Sequence, residues 1–174
     1  MKNLRFIIIL VIVFGGFVAL YFFTSTQGNS EPRPGTVQSD EGREHVSAST
    51  PVPYKNAVPT SGTHSVQPAQ WGVSSVQLND EALVHNMEHG GVVISYRPDA
   101  DPGVVDKLEK LFSKPYSNSN FRPTKAVVMP RKDQEALIIT ASWQRLKEFQ
   151  EYSEQELIEY YNLNIGKSPE PNAS

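Results

Sequence analysis

An uninterrupted apolar run over residues 6–23 constrains this chain more than any other feature. The run carries no charged residue, and Lys2 and Arg5 stand just before it. A helix of about 20 apolar residues crosses the hydrocarbon core of a bilayer, whereas the apolar region of a cleavable signal peptide spans only about 7–15 residues. The run also ends in LYFF, without a small-residue cleavage site. It therefore predicts an uncleaved transmembrane anchor behind a short cytoplasmic segment, residues 1–5.

The charges around this run predict how the chain is oriented. Basic residues on the amino-terminal side keep that end in the cytoplasm, so the remainder of the chain is expected outside it. Residues 24–44 are polar, contain Pro and Gly, and have no apolar period, which predicts a flexible stalk. An extracytoplasmic globular domain is then expected over 45–168, with a disordered tail over 169–174. The membrane is the partner that the sequence indicates, and no protein partner is indicated.

The composition narrows the class of protein and the kinds of site. A chain of 174 residues has room for one ordinary domain with its own core. A net charge of -3 gives no sign of the basic surface that nucleic-acid binding requires. The absence of cysteine excludes disulfides, thiolate metal sites and a cysteine nucleophile.

The order of elements predicts an α+β fold, namely one small domain with a mixed sheet, helices mainly on one face, and a Pro-rich irregular amino-terminal arm. Prolines interrupt the arm, residues 45–72, at positions 51, 53, 59 and 68. Helical spacing or capping patterns predict helices over 80–89, 101–114 and 153–164. Runs rich in β-branched residues predict strands over 92–98, 125–130 and 136–143.

The first of these helices carries the candidate site. Asn79 or Asp80 can cap its start, and the glycine pair that follows His89 suits its end. At 100° per residue, Leu83, Val84 and Met87 fall on the face expected to enter the core. On the opposite face lie His85, Glu88 and His89.

The spacing of these residues predicts a metal site. Two imidazoles one helical turn apart can bind the same ion, and a third ligand must then come from elsewhere in the chain. His64 is the candidate, because it closes the turn PTSGTH and the arm that carries it can lie along the exposed face of the helix. We therefore predict a zinc or copper site made by His64, His85 and His89, with Glu88 as a ligand or an orienting group. His45, at the stalk boundary, is expected to be a bystander.

Two alternatives remain open at this stage. Histidines on a short helix often only form hydrogen bonds, which would make this a structural or partner-binding envelope domain without metal. HNMEH also fits His-x-x-Glu-His, the inverted zinc-peptidase motif, whose further carboxylate ligand could come from the last predicted helix, at Glu154, Glu156 or Glu159. That hydrolase motif fits poorly on a helix of barely two turns, and no complete catalytic set can be assigned. A binding module is thus favoured over an enzyme.

Met87 raises a separate question about copper. In a strand, residues 85, 87 and 89 would share a face, and the thioether of Met87 could bind Cu(I). In a helix, Met87 points into the core instead. Since the capping residues and the glycine pair favour the helix, Met87 is assigned to packing.

Three sequence blocks together resemble one bacterial family, catalogued as domain of unknown function 3105. The blocks are TPVPYKNAVPTSGTHSVQPAQWG, LVHNMEHGGVVISYRPD and ALIITASWQRLKEF, and the resemblance spans roughly residues 45–167. It implies a membrane-anchored or secreted bacterial protein whose signature lies in residues 59–64 and 85–90. It further implies that His64, His85, Glu88 and His89 form one site, and that Met87, where leucine is common, packs in the core. The resemblance implies no reaction.

Overall fold

The computed structural model describes residues 32–48, 50–113 and 124–173. The predicted cytoplasmic segment, the predicted anchor over 6–23 and the first part of the predicted stalk lie outside these ranges. Among the helices of the described ranges, none is both long and apolar enough to cross a membrane.

All the predicted helices and strands are present, with their ends shifted by a few residues. The helices are α1 (Asp80–Glu88), α2 (Pro102–Phe112) and α3 (Glu154–Asn164). Four short strands lie in the amino-terminal part, β1 (Thr36–Val37), β2 (His45–Val46), β3 (His64–Ser65) and β4 (Gly72–Val73). Four longer strands follow, β5 (Val92–Tyr96), β6 (Ala126–Pro130), β7 (Ile138–Ser142) and β8 (Arg145–Phe149).

The sheet is mixed, as predicted, and the domain is α+β. Its six strands are ordered β1-β8-β7-β5-β6-β4. The β6 strand pairs in parallel with β4 and with β5. The other three pairs, β5 with β7, β7 with β8 and β8 with β1, are antiparallel. The β2 and β3 strands form a separate parallel pair outside this sheet.

Alternating residues of the central strands divide the core between the two faces of the sheet. Val92 and Ile94 pack with Leu108 and Phe112 of α2 and with Tyr160 of α3. Val93, on the other face, packs in a second cluster with Leu83, Val84 and Met87 of α1. Helices α2 and α3 thus share one face, as expected for most helices, whereas α1 lies on the opposite face. Met87 is a core residue, which confirms its assignment to packing.

The β8 strand was missed by the sequence analysis because its turn lacks the usual signal. Ser142 pairs with Arg145, so a two-residue loop joins β7 to β8. Such loops favour Gly or Asn, since one or both central residues adopt positive φ. Here the loop is Trp143-Gln144, and Gln144 adopts φ of 57°.

Residues 33–44 belong to the folded part of the chain, which differs from the flexible stalk expected there. The β1 strand pairs with β8, and Arg33 Nε donates a hydrogen bond to Asn164 Oδ1 at 3.0 Å. Neither contact is visible in the local sequence, because both partners lie more than 100 residues away. The domain therefore begins near Arg33 rather than at His45.

Both ends of α1 are held by contacts from distant parts of the chain. At its start, Asp80 forms an ion pair with Arg131, whose guanidinium is almost completely buried. At its end, Gly90 adopts φ of +85° and lies so close to Gly166 that a Cβ atom at position 90 would stand 2.9 Å from the Gly166 Cα atom. These contacts fix where α1 presents its histidines.

Candidate metal centre

Four imidazoles and one carboxylate meet on the side of α1 that faces away from the sheet. The β2–β3 pair covers this side of the helix and brings His45 and His64 against it. Neighbouring ring centroids lie 4.4 Å apart for His45–His64, 5.2 Å for His64–His85 and 4.4 Å for His85–His89. We call these four histidines and Glu88 the histidine cluster.

His64 is fixed by the turn that precedes it. Gly62 adopts φ of +118°, a conformation that side-chain-bearing residues resist, and its N–H donates to the Gly42 carbonyl at 2.8 Å. The Gly62 carbonyl in turn lies 2.8 Å from Nδ1 of His64. Because a carbonyl only accepts, Nδ1 carries the proton, and Nε2 of the fully buried imidazole points at the cluster.

The imidazole of His85 is also held by a hydrogen bond to a backbone carbonyl, that of Ser65 in β3. Its Nδ1 lies 2.6 Å from the Ser65 carbonyl and must therefore be the donor, while Nε2 lies 3.0 Å from Nε2 of His89. Burial lowers the pKa of His85; the Ser65 carbonyl opposes this shift and the neighbouring imidazoles reinforce it. The neutral imidazole, with its lone pair on Nε2, is thus the favoured form.

Glu88 lies at the centre of the cluster and is completely shielded from solvent. Its Oε2 atom lies 3.0 Å from Nε2 of His64 and 3.3 Å from Nε2 of His45. Its Oε1 atom is also buried and has no hydrogen-bond partner among the described residues. If it is ionised, a carboxylate in this position requires a positive partner, because burying an unpaired charge is very costly.

The spacing of the donor atoms matches the edges of a coordination polyhedron. Nε2 of His45 and Nε2 of His64 lie 3.1 Å apart, and each lies 3.0–3.3 Å from Oε2 of Glu88. Tetrahedral zinc with bonds of about 2.0–2.1 Å places its ligand atoms about 3.3–3.4 Å apart. Donor atoms of His45, His64 and His85 all lie within 4.8 Å of one another, as do those of His85, Glu88 and His89.

The carboxyl-terminal segment lies against His89, although a disordered tail was expected there. Glu170 Oε2 lies 3.9 Å from Nε2 of His89, and the Glu170 N–H donates to the Glu88 carbonyl at 3.1 Å. Lys125 Nζ donates to the carbonyls of His89 and Pro171 at 2.9 and 3.2 Å. These contacts place a second carboxylate at the edge of the cluster.

All four residues predicted for the site, His64, His85, Glu88 and His89, lie in the histidine cluster. The expectation for His45 was wrong, since its imidazole packs on His64 and its Nε2 contacts Glu88. No local signal could have identified it, because its position depends on the parallel pairing of His45–Val46 with His64–Ser65.

None of the three carboxylates considered for a hydrolase is placed at the cluster: Glu159 is exposed on α3, and the other two have other contacts. Glu156 pairs with Lys147 at 2.8 Å, and Glu154 accepts a hydrogen bond from the Tyr152 hydroxyl. The carboxylate beside the cluster is Glu170, which the sequence analysis did not consider. The groups that contact His85, Glu88 and His89 therefore come from the arm and the carboxyl-terminal segment, not from α3.

Comparison with known proteins gives a family but no function. A family model described as "Protein of unknown function (DUF3105)" matches residues 45–174. No curated protein matches the chain, and no solved structure matches it. The matched range includes every member of the histidine cluster.

Proposed function

This chain belongs to the DUF3105 family, whose description assigns no activity. We propose, from the site itself, that the domain binds a divalent metal ion through the histidine cluster. The observation that carries the proposal is the orientation of His64 and His85. Each donates Nδ1–H to a backbone carbonyl and directs Nε2 at the cluster. Metal-binding histidines are typically oriented in this way, because the outer hydrogen bond fixes the ring and its tautomer.

The contact between His64 and Glu88 favours an ion over a metal-free cluster. With its proton on Nδ1, a neutral His64 would direct the Nε2 lone pair at the Glu88 carboxylate, 3.0 Å away, and the two would repel. A metal-free cluster avoids this if His64 carries both protons and forms a buried ion pair, or if Glu88 is protonated on Oε2 and donates to Nε2 of His64; in both cases Oε1 of Glu88 is left without a donor. A bound cation accepts both lone pairs and offers Oε1 a partner.

The donor set favours Zn(II) or Cu(II) over Cu(I). Imidazole nitrogens and carboxylate oxygens suit these divalent ions, whereas Cu(I) prefers thiolates and thioethers. The chain has no cysteine, and Met87 is buried in the core beside Leu83 and Val84. The thioether of Met87 is therefore not a ligand in the cluster.

Binding is favoured over zinc-dependent hydrolysis by the position of Glu88. In the His-x-x-Glu-His motif the glutamate must reach a water molecule and a substrate. Glu88 is fully buried and already contacts the two imidazoles of His45 and His64. Solvent reaches the cluster at its two ends, where the side chains of His45 and His89 are 38% and 12% exposed. This exposure allows an ion to enter without a substrate cleft.

We further infer that the domain is held at the outer face of a bacterial cell membrane by a helix over residues 6–23. The support is the sequence, with an uncharged apolar run preceded by Lys2 and Arg5. Protease added to intact spheroplasts is expected to digest the domain, whereas a cytoplasmic control protein survives. Protection of the domain until the membrane is lysed would refute this orientation.

Metal analysis of the full-length protein tests the proposed function. The protein is purified in mild detergent without a histidine tag, stripped with chelator and titrated with Zn(II) and Cu(II). We expect at least one equivalent to bind tightly to the wild type, with weaker or fewer bound ions in His64→Ala and in His85→Ala and loss of tight binding in the double histidine variant, which carries both substitutions. Gln67→Ala, an exposed position beside β3, is the matched control and should bind as the wild type does. If the wild type binds no ion more tightly than the double histidine variant, the metal function is wrong and a structural or partner-binding role replaces it.

Metal affinity should fall as pH falls, and the lowered pKa of His85 moves the loss of that ligand to lower pH. Protons compete with the ion for imidazole nitrogens, so affinity falls as pH drops through about 6.5, by up to tenfold per pH unit for each ligand that becomes protonated. Because burial lowers the pKa of His85, this ligand stays available to lower pH than an ordinary histidine. Competition titrations with a chromophoric chelator at pH 7.5 and 5.5 should give a Kd at least tenfold weaker at pH 5.5. An unchanged Kd would contradict this prediction, since it would mean that no imidazole ligand takes up a proton between these two pH values.

A further inference from the structure

The histidine cluster contains more donor groups than one ion uses. A zinc site in a protein typically has four ligands, whereas the cluster has four imidazoles and Glu88, with Glu170 at its edge. Closest approaches divide the donors into two sets. In one set, Nε2 of His45 and Nε2 of His64 are 3.1 Å apart. In the other set, Nε2 of His85 and Nε2 of His89 are 3.0 Å apart.

Glu88 is the group that can belong to both sets. An imidazole nitrogen has a single lone pair and binds one ion, whereas a carboxylate has two oxygens and can bridge two ions. Oε2 of Glu88 faces His45 and His64, while the buried Oε1 atom has no hydrogen-bond partner among the described residues. A donor oxygen of the same carboxylate lies within 4.8 Å of the donor nitrogens of His85 and His89.

We propose that the histidine cluster is a dinuclear centre, in which one divalent ion binds His45 and His64, the second binds His85 and His89, and the carboxylate of Glu88 bridges them. This inference rests on the proposed metal-binding function and specifies its stoichiometry and ligand sets. Glu170, 3.9 Å from Nε2 of His89, supplies a further carboxylate for the second ion. The two ions of known dinuclear protein sites lie about 3.5–4 Å apart, a separation that a bridging carboxylate suits.

The charges of the cluster predict that the two ions bind with unequal affinity. Two divalent ions bring four positive charges, against one buried carboxylate from Glu88 and a half-exposed one from Glu170. The first ion therefore repels the second across a short distance in a poorly solvated site. We expect the second equivalent of Zn(II) to bind at least tenfold more weakly than the first.

The stoichiometry of the full-length protein tests the inference separately from the proposed function. Elemental analysis and calorimetric titration with Zn(II) should give two equivalents for the wild type. His45→Ala and His89→Ala each truncate a partly exposed ligand of a different set, and each should retain one equivalent. A single equivalent in the wild type would overturn the dinuclear centre while leaving metal binding intact. Zero equivalents would overturn both.

A spectroscopic measurement separates one shared centre from two unrelated sites. With Cu(II) as the probe, the wild type at two equivalents should show the half-field paramagnetic resonance of two coupled ions, and the signal should be much weaker at one equivalent or less. His89→Ala should lose it at any loading. Two bound equivalents that give only the full-intensity resonance of isolated Cu(II) ions would place the second ion elsewhere on the protein and overturn the inference.

Discussion

Replacing Glu88 by glutamine is expected to lower the affinity of the full-length protein for Zn(II) by about 100-fold. Substitution of groups that orient metal ligands commonly costs 10- to 100-fold in affinity, and Glu88 is also positioned to bind directly. Glutamine keeps the size of the side chain but removes the only completely buried negative charge of the cluster. The same titration used for the wild type, with a competing chelator, measures the effect.

The control for this substitution is Glu159→Gln, which makes the same chemical change at an exposed position of α3. It should bind Zn(II) within a factor of two of the wild type, so that a change in net charge alone cannot account for the result. Thermal unfolding of the chelator-stripped proteins establishes that Glu88→Gln is folded. A folded Glu88→Gln protein with wild-type affinity would show that the carboxylate neither binds nor orients the ion.

Replacing Asp80 by alanine is expected to lower the free energy of unfolding by about 3 kcal/mol. Removing one partner of a buried ion pair costs about 3–5 kcal/mol, because the remaining charge is buried without compensation. Arg131 is only 3% exposed, and Asp80 accepts hydrogen bonds from both terminal nitrogens of its guanidinium. We take the lower end of the range because a quarter of the Asp80 side chain contacts solvent. For a domain of this size the unfolding midpoint should fall by roughly 6–12 °C.

The matched comparison is Asp99→Ala, which removes the partner of Arg97 in an exposed ion pair. Exposed pairs contribute about 0–1 kcal/mol, so this variant should unfold close to the wild-type midpoint. Circular dichroism on chelator-stripped protein gives both values without a contribution from bound metal. Equal midpoints for Asp80→Ala and the wild type would mean that Arg131 finds another partner or is solvated when Asp80 is absent.

Much of the fold could be predicted because its elements carry local signals. The α1 helix was found from its start at Asp80 and from the glycine pair after His89, and the long strands from their β-branched runs. Where local and tertiary effects disagreed, the tertiary contact determined the structure. Gln144 adopts a positive φ in a turn without glycine, because the long pairing of β7 with β8 compensates for the strain.

The candidate site was predictable only in part, for a geometric reason. His85, Glu88 and His89 lie on one helix, so their spacing of three and four residues places them together without further information. The turn at residues 59–64 suggested that His64 was a ligand, but it did not predict where His64 would lie. His45 and Glu170 reach the cluster through the β2–β3 pairing and the docking of the carboxyl-terminal segment. Contacts of this kind leave no periodicity in a single sequence.

The sequence by itself therefore determined the class of the fold, the inward face of α1 and the pairing of two histidines on its outer face. These properties follow from the repeat of the helix and the strand, which relates residues only a few positions apart. Only the tertiary structure decided that this outer face is buried, that all four histidines converge on it and that Glu88 lies between them without solvent. The physical reason is that α1 is covered by β2 and β3, which lie 15 or more residues before it, and by a segment more than 75 residues after it. The docking of these segments depends on backbone pairing and shape rather than on residue order.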